Sequence, residues 1–468
     1  MKTMFTKLFS AALLASLIVG YTAKAQTTSL NADPAVPAAT TTATPASIPA
    51  EPKTEAKATA NTKAEVKAPV KAAEDTSWKP QRRIWGYAFG DLYFAQHAPA
   101  ITSSQGKENN YTGVPTGRNA FQFRRVYLGY DYDITKKFKA EVLLSSEPSA
   151  STGVNGTTSI QNGDNLVDGK MSFFIKNFNL RVRDLWNGTD LVVGEMSTPT
   201  FALNEPGTNA PTSLAEATWS YRSIERTITD YHKDNSYDLG AALQGTFDPQ
   251  TKNFGYVAMV GNNSTSSLLS AANANTGFYK IFYGTLWGKF LDKKLYVDFY
   301  ADYAQTAPNT PTVGAQSHNM FKVFAAYNAK LFTIGAEAYT QKFTNGVTNK
   351  TTTLAEDATA HGLSLWIRGA IVQGKWGYFA RWDTYNPDTQ FNSADPYAVN
   401  TNYGSYDPTT KEQFVTAGLD FTPAKNIHFM PNIWFTQYKD KLAPTTAGYL
   451  PDNHTMVYRM TFFYTFGK

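Results

Sequence analysis

The sequence has no cysteine at any of its 468 positions, and that absence removes two architectures at once. A disulfide framework is impossible, and so is lipid attachment at an N-terminal cysteine. Histidine is scarce: the six are His97, His232, His318, His361, His428 and His454, and no pair has a zinc-type spacing. No Gly-x-Ser-x-Gly nucleophile elbow occurs either. Neither a cofactor nor a metal is therefore expected. Asp383 and Asp388, with Asn386 between them, carry oxygens that could meet Ca²⁺, but the favoured reading there is an ordinary polar loop start. Charge of either sign is sparse at 17%, and the formal net charge of +5 is small. It drops to about +2 without Lys2, Lys7 and Lys24, which gives no reason to expect a nucleic-acid partner. After residue 25, no apolar run is long enough for a transmembrane helix.

The front of the chain divides into two materials. Lys2 and Lys7, the apolar run Leu8 to Gly20 and the small-x-small triplet Ala23-Lys24-Ala25 predict a secretory signal over residues 1–25. Residues 26–77 are rich in Ala, Thr, Pro, Lys and Glu and hold no aromatic residue. Such a segment buries too little apolar surface to offset its chain entropy, so it predicts a disordered periplasmic arm. Its plain reading is a solvated tether; the sharper one is an arm touching peptidoglycan or another periplasmic partner.

What is abundant begins at residue 78. From Ile84 onward, sixteen stretches of roughly ten residues are rich in Tyr, Phe, Val, Ile and Trp. The gaps between them alternate long and short. The short ones are turn-sized: Ile134–Lys137, Asp184–Thr189, Asp248–Lys252, Leu291–Lys294, Asn328–Lys330, Gln373-Gly374 and Thr422–Asn426. Tight turns at one end and long polar loops at the other are the asymmetry of an antiparallel barrel crossing an outer membrane. Residues 78–468 are thus expected to form an all-β transmembrane antiparallel β-barrel of about 16 strands, surrounded by outer-membrane lipid.

Alternation within the stretches agrees. Phe138, Ala140, Val142 and Leu144 share one face, against Lys139, Glu141, Leu143 and Ser145. Leu295, Val297, Phe299, Ala301 and Tyr303 oppose Tyr296, Asp298, Tyr300 and Asp302. The adjacent Arg124 and Arg125 break the rule, so one must point outward or sit at a bulge. Tyr93, Tyr130, Tyr132, Trp186, Tyr303 and Tyr438 lie near segment ends and are expected in interfacial aromatic girdles. At the C-terminus, Tyr458, Met460, Phe462, Tyr464 and Phe466 occupy every second position. That is the pattern of an outer-membrane end strand, except that Gly467 and Lys468 follow the last Phe.

Several pieces together resemble the bacterial porins of the phosphate-selective porin O and P type. They include Phe121–Gly129, Leu191–Leu203, Arg222–Arg226, Tyr237–Gly240, Phe379–Asp383 and the segment Gly418–Tyr438, in the right order over nearly the whole barrel. The resemblance implies sixteen strands, a homotrimer and passive passage of small hydrophilic solutes or ions. It also implies that the third long loop folds inward and narrows the channel.

Sixteen strands enclose a lumen that side chains do not fill, so function is expected on its wall. By parity the wall charges are Lys139, Glu141, Lys280, Asp298, Asp302, Lys322, Glu337, Arg368, Arg381, Asp383 and Arg459. In the third long loop, Met196 to Ser236, Arg222, Glu225 and Arg226 are the constriction candidates. That loop carries three basic and five acidic residues, a poor fit to phosphate selectivity. The expected function is a weakly selective porin. The alternatives are a non-conducting barrel acting as adhesin or envelope tether, and a hydrolase using His428.

Overall fold

The computed structural model describes residues 78–98, 116–146, 166–167, 170–171, 173–200, 227–232, 237–263, 279–306, 314–394, 397–399, 409–447, 449, 451 and 453–467. The signal, the arm and the constriction candidates Arg222, Glu225 and Arg226 lie outside the described residues.

Sixteen strands form the wall. They are β1 (Arg82–His97), β2 (Asn119–Asp133), β3 (Phe138–Ser146), β4 (Phe174–Trp186), β5 (Thr189–Ser197) and β6 (Tyr237–Thr246). Next come β7 (Phe254–Gly261), β8 (Ile281–Phe290), β9 (Leu295–Thr306), β10 (Gln316–Asn328) and β11 (Phe332–Asn349). The ring continues through β12 (Ala355–Val372), β13 (Trp376–Asn386), β14 (Thr410–Ala424), β15 (Ile427–Asp440) and β16 (Asn453–Phe466). Each strand pairs antiparallel with its sequence neighbours. The ring closes because β1 pairs with both β2 and β16: Phe89 faces Arg125 on one side and Phe463 on the other. Closure leaves no unpaired sheet edge.

The seven short connections fall where the gap pattern places them, with strands extending up to three residues into them. Backbone handedness explains how they turn so tightly. Leu291, Asp292 and Lys293 all adopt left-handed φ (51°, 56° and 63°), and Gly188 and Gly374 do the same at +79° and +70°. The Asp248 turn is held by its own carboxylate, which accepts the backbone N–H of Asn253 (2.8 Å) and Phe254 (2.9 Å) and the Thr251 hydroxyl. Burial alone raises this carboxyl, but those three donors outweigh it and keep it below the usual carboxylate range.

One long gap is not long. Strands β11 and β12 each run 18 residues, so only residues 350–354 separate them. A short strand, Tyr397–Val399, adds to the far end of β11 by pairing Val347 with Val399.

The two faces separate as alternation predicts. Phe299 is 58% exposed and Tyr303 42%, while Asp298 and Tyr300 on the other face are buried. The Arg124–Arg125 ambiguity resolves as a bulge. Phe89 pairs with Arg125 and Gly90 with Phe123, so Arg124 is the extra residue and both arginines are buried. A second bulge lies between Leu143 and Leu144, opposite Lys176, and turns that lysine inward as well. The girdle expectation needs correction at two positions. Tyr130, Trp186 and Tyr303 are exposed on the outside, but Tyr93 and Tyr438 are buried on the inner face, Tyr93 packed with Trp434 and Val457. Parity governs them, and both fall on the inward set.

Candidate pore lining

Which face is inward is settled by the two described ends of the third long connection. Leaving β5, the Pro199 carbonyl accepts the Thr285 hydroxyl (3.1 Å) and Thr200 Oγ1 donates to the Tyr300 hydroxyl (3.0 Å). Lys322 Nζ donates to the Thr200 carbonyl. Returning toward β6, the connection forms helix α1 (Ile228–His232), where Thr229 donates its hydroxyl to Glu337 Oε1. His232 stacks on Tyr385 with centroids 3.5 Å apart. Those partners stand on β8, β9, β10, β11 and β13. Both described ends of the connection therefore lie against the inner surface, on strands other than the two it joins.

Around that contact the wall charges come in compensated groups. Register carries one row across five strands: Asp298 faces Phe324, which faces Glu337, then Ser364, then Asp383. Glu337 Oε2 lies 3.8 Å from Lys322 Nζ. Arg381 Nε donates to Asp383 Oδ1 at 2.9 Å, and its Nη2 reaches Oδ2 for a two-point contact. Asp302 accepts the Tyr300 hydroxyl (2.5 Å) and the Met320 N–H (3.0 Å). Asp298, Lys322, Glu337, Arg381 and Asp383 are all buried. Burying charge is costly unless it is paired, and Lys322 and Arg381, each two residues from the row on the same face, bring cations to Glu337 and Asp383.

A second group spans the seam of the ring. Arg459 Nε donates to Asn432 Oδ1 at 2.9 Å, and its Nη1 lies 3.6 Å from Asp91 Oδ2. Arg124 approaches the same Asp91 oxygen at 3.6 Å. Toward the turns, Lys139 donates to Glu141 at 2.8 Å, and Arg181 bridges Glu141 (3.5 Å) and Asp190 (3.2 Å). Arg368 shares the face of Ser364 and Trp366 near the 373–375 turn and is half-buried. Lys280 stands one residue ahead of β8 with the parity of the exposed Phe282, not of the inward Tyr283.

Sequence reading treats these groups as separate wall charges and misses what binds them together. Arg124 and Lys176 reach the inner face only through bulges. The available signal was two consecutive polar residues, Arg124-Arg125 and Lys176-Asn177, inside otherwise alternating stretches. It also misses the inward aromatics. Trp434 lies under both Arg459 (3.7 Å) and Arg124 (5.0 Å), and Arg381 covers Phe414 at 5.6 Å. Lys176 Nζ stands 4.8 Å from the Tyr237 ring and 5.4 Å from that of Tyr127.

Two other candidates take definite places. His428 Nδ1 lies 2.9 Å from Asp420 Oδ1 and 3.3 Å from Thr422 Oγ1. Carboxylate and hydroxyl approach one and the same nitrogen, whereas a nucleophilic relay needs them on opposite sides of the ring. At the loop end, Lys441 Nζ donates to the Asp388 carbonyl (2.7 Å) and Asn386 Oδ1 (3.2 Å). Of the side chains considered for Ca²⁺, Asn386 thus meets an ammonium, Asp383 is held by Arg381, and the Asp388 carboxylate accepts the N–H groups of Thr359 and Gln390 (both 3.0 Å). Burial raises the Asp388 carboxyl, against the N–H groups of Thr359 and Gln390 and the Lys441 charge.

Comparison with solved structures supports the architecture. The chain is similar to the anion-selective porin from Comamonas acidovorans, with 11% identity and a TM-score of 0.51, over 83% of this chain and 100% of that one. It is also similar to the outer membrane channel DcaP of Acinetobacter baumannii, with 8% identity and a TM-score of 0.51, over 83% of this chain and 97% of that one. No protein-family model and no curated protein matches the sequence. The chain is a closed antiparallel β-barrel of sixteen strands, the fold of those two channels.

Proposed function

We propose that the chain is a bacterial outer-membrane porin that lets small hydrophilic solutes and ions diffuse passively with weak selectivity. One observation carries the reading: a closed barrel whose third long connection is fastened at both described ends to an inner wall of paired charges. The outside of the same barrel is apolar and exposed, with Phe121 at 80% and Phe299 at 58%, as a lipid-facing surface requires. The wall residues set selectivity through rings of charge; because charges of both signs stand together on this wall, no strong sign preference is expected. The resemblance to the phosphate-selective porins supports the transport class, not phosphate as the solute. It also favours a homotrimer, which chemical crosslinking in native membranes tests. Residues 1–25 act as the export signal and residues 26–77 as a periplasmic arm; removing 27–77 leaves insertion intact.

The test of diffusion is swelling of vesicles carrying the purified chain in sugars of graded size. Swelling that slows with solute size supports a sieving pore. Vesicles that never swell favour the adhesin or tether reading. Replacing Arg222 and Arg226 together should shift the reversal potential in a salt gradient toward cations. An unmoved potential assigns selectivity to wall residues such as Lys322 and Asp298 instead.

A further inference from the structure

The seven tight connections carry a charge pattern that the channel reading does not use. Within them, Lys136 and Lys137 share one turn and Lys293 and Lys294 another. Lys252, Lys330, Lys375 and Lys425 occupy four more, so six of the seven turns carry lysine. All eight lysines are exposed. Against them the same turns hold only Asp248 and Asp292, leaving this rim at +6. The eight connections at the opposite end sum to −4. Arg82 and Lys79, both exposed, extend the basic rim across the seam where β1 meets β16.

We propose that this rim binds the anionic phosphodiester headgroups of phospholipids in the leaflet that the turns face. The proposal rests on the barrel spanning a membrane, and it does not depend on conduction.

Two features of this rim select a lipid surface over other polyanions. First, the lysines share their turns with exposed apolar side chains: Ile134 (46%) lies two residues before Lys136, Leu291 (63%) two before Lys293, and Leu331 (58%) follows Lys330. Val372 (50%) and Ile427 (41%) flank Lys375 and Lys425 in the same way. An apolar collar under a ring of ammonium groups is the arrangement of an acyl–headgroup boundary, where lysine stems lie along the apolar zone and the charge reaches the phosphates. A cell-wall polymer, polar along its length, gives those apolar side chains nothing to bury against. Second, the lysines encircle the barrel. A membrane plane meets every turn at once, whereas a compact partner meets only one arc. Juxtamembrane lysines attract anionic lipid additively and lose that attraction as salt screens it.

The test uses the purified full chain in vesicles of phosphatidylcholine with a minor fraction of phosphatidylglycerol. Native mass spectrometry counts the lipids retained after gentle extraction. Wild type should retain phosphatidylglycerol severalfold above its share of the vesicle, and the enrichment should collapse in high salt. Changing Lys136, Lys137, Lys293 and Lys294 to Gln should abolish most of it, with folding checked by heat-dependent gel mobility. If that variant does not fold, Lys330→Gln with Lys375→Gln should halve the enrichment. Retention in proportion to the vesicle, or an enrichment that salt and substitution leave unchanged, overturns the proposal. So does co-sedimentation with purified peptidoglycan that the four-lysine change removes while lipid retention stays unselective. A chain that selects phosphatidylglycerol yet carries no current keeps this proposal and removes the channel reading.

Discussion

Arg459 lies over the indole of Trp434, its guanidinium carbon 3.7 Å from the ring centroid, with both side chains buried on the inner wall. The contact joins β15 to β16 beside the strand that closes the ring, and it places a fixed positive charge 3.6 Å from Asp91. Because neither partner of that ion pair is accessible to water, removing Arg459 leaves the buried Asp91 carboxylate with one cation fewer, with Arg124 and the Thr461 hydroxyl among its remaining partners. Arg459→Ala should lower unfolding stability by about 3 kcal/mol in urea titrations of the refolded barrel. Arg459→Lys keeps the charge but loses the flat stack and the directed bond to Asn432, so it should fall between. Equal stability of all three proteins would mean that Arg124 alone satisfies Asp91.

The bulge at Arg124 makes a sharper demand. Deleting Arg124 restores plain alternation, since Phe123 then precedes the inward Arg125 without any residue changing face. Deleting Tyr127 instead turns every residue from Asn119 to Val126 to the opposite face. The first deletion should therefore insert and show folded gel mobility with a modest loss of stability, and the second should not insert. If both behave alike, the register assigned to β2 is wrong.

Glu337 fastens the returning end of the third connection through the Thr229 hydroxyl and stands beside Lys322, which holds the departing end at Thr200. Loss of one anchoring hydrogen bond is worth about 1.4 kcal/mol, so Glu337→Ala should speed amide exchange across residues 227–232 by about tenfold. Exchange at the wild-type rate would show that His232 stacked on Tyr385 suffices to hold this segment.

The Asp248 turn predicts a pH dependence with a definite sign. Its carboxyl titrates lower in the folded chain than its ordinary value of 3.8, so the ionised form favours folding. That contribution is complete above the unfolded value and disappears as pH falls through the folded one. Asp248→Asn should consequently be less stable than wild type at neutral pH, and the gap should close in acid. A gap that persists with the carboxyl protonated would assign the effect to side-chain geometry alone.

How much of this was legible in the sequence follows from what periodicity can and cannot encode. Period-two alternation, interrupted at seven turn-sized gaps, locates the strands because one face meets apolar surroundings and the other does not. The same rule fails at Arg124 and Lys176, where an extra residue resets parity; only consecutive polar residues hint at it. Aromatic residues are ambiguous by nature. Tyr438 and Tyr303 have the same chemistry, yet one packs beside the inner wall and the other is 42% exposed outside. Lys322 and Glu337 share the inner face by parity, but only cross-strand register brings them to 3.8 Å and makes a pair of them. The short gap at 350–354 escaped because polar residues of β11 and β12 read as loop while pairing as strand.

The closed barrel is expected to conduct through a lumen narrowed by the third connection. Single-channel recording of the purified chain in a planar bilayer tests it most directly. Discrete, ohmic current steps are expected, persisting without residues 27–77 and growing larger in Glu337→Ala, where the inner fastening is loosened. A correctly folded barrel that inserts and passes no current would contradict it.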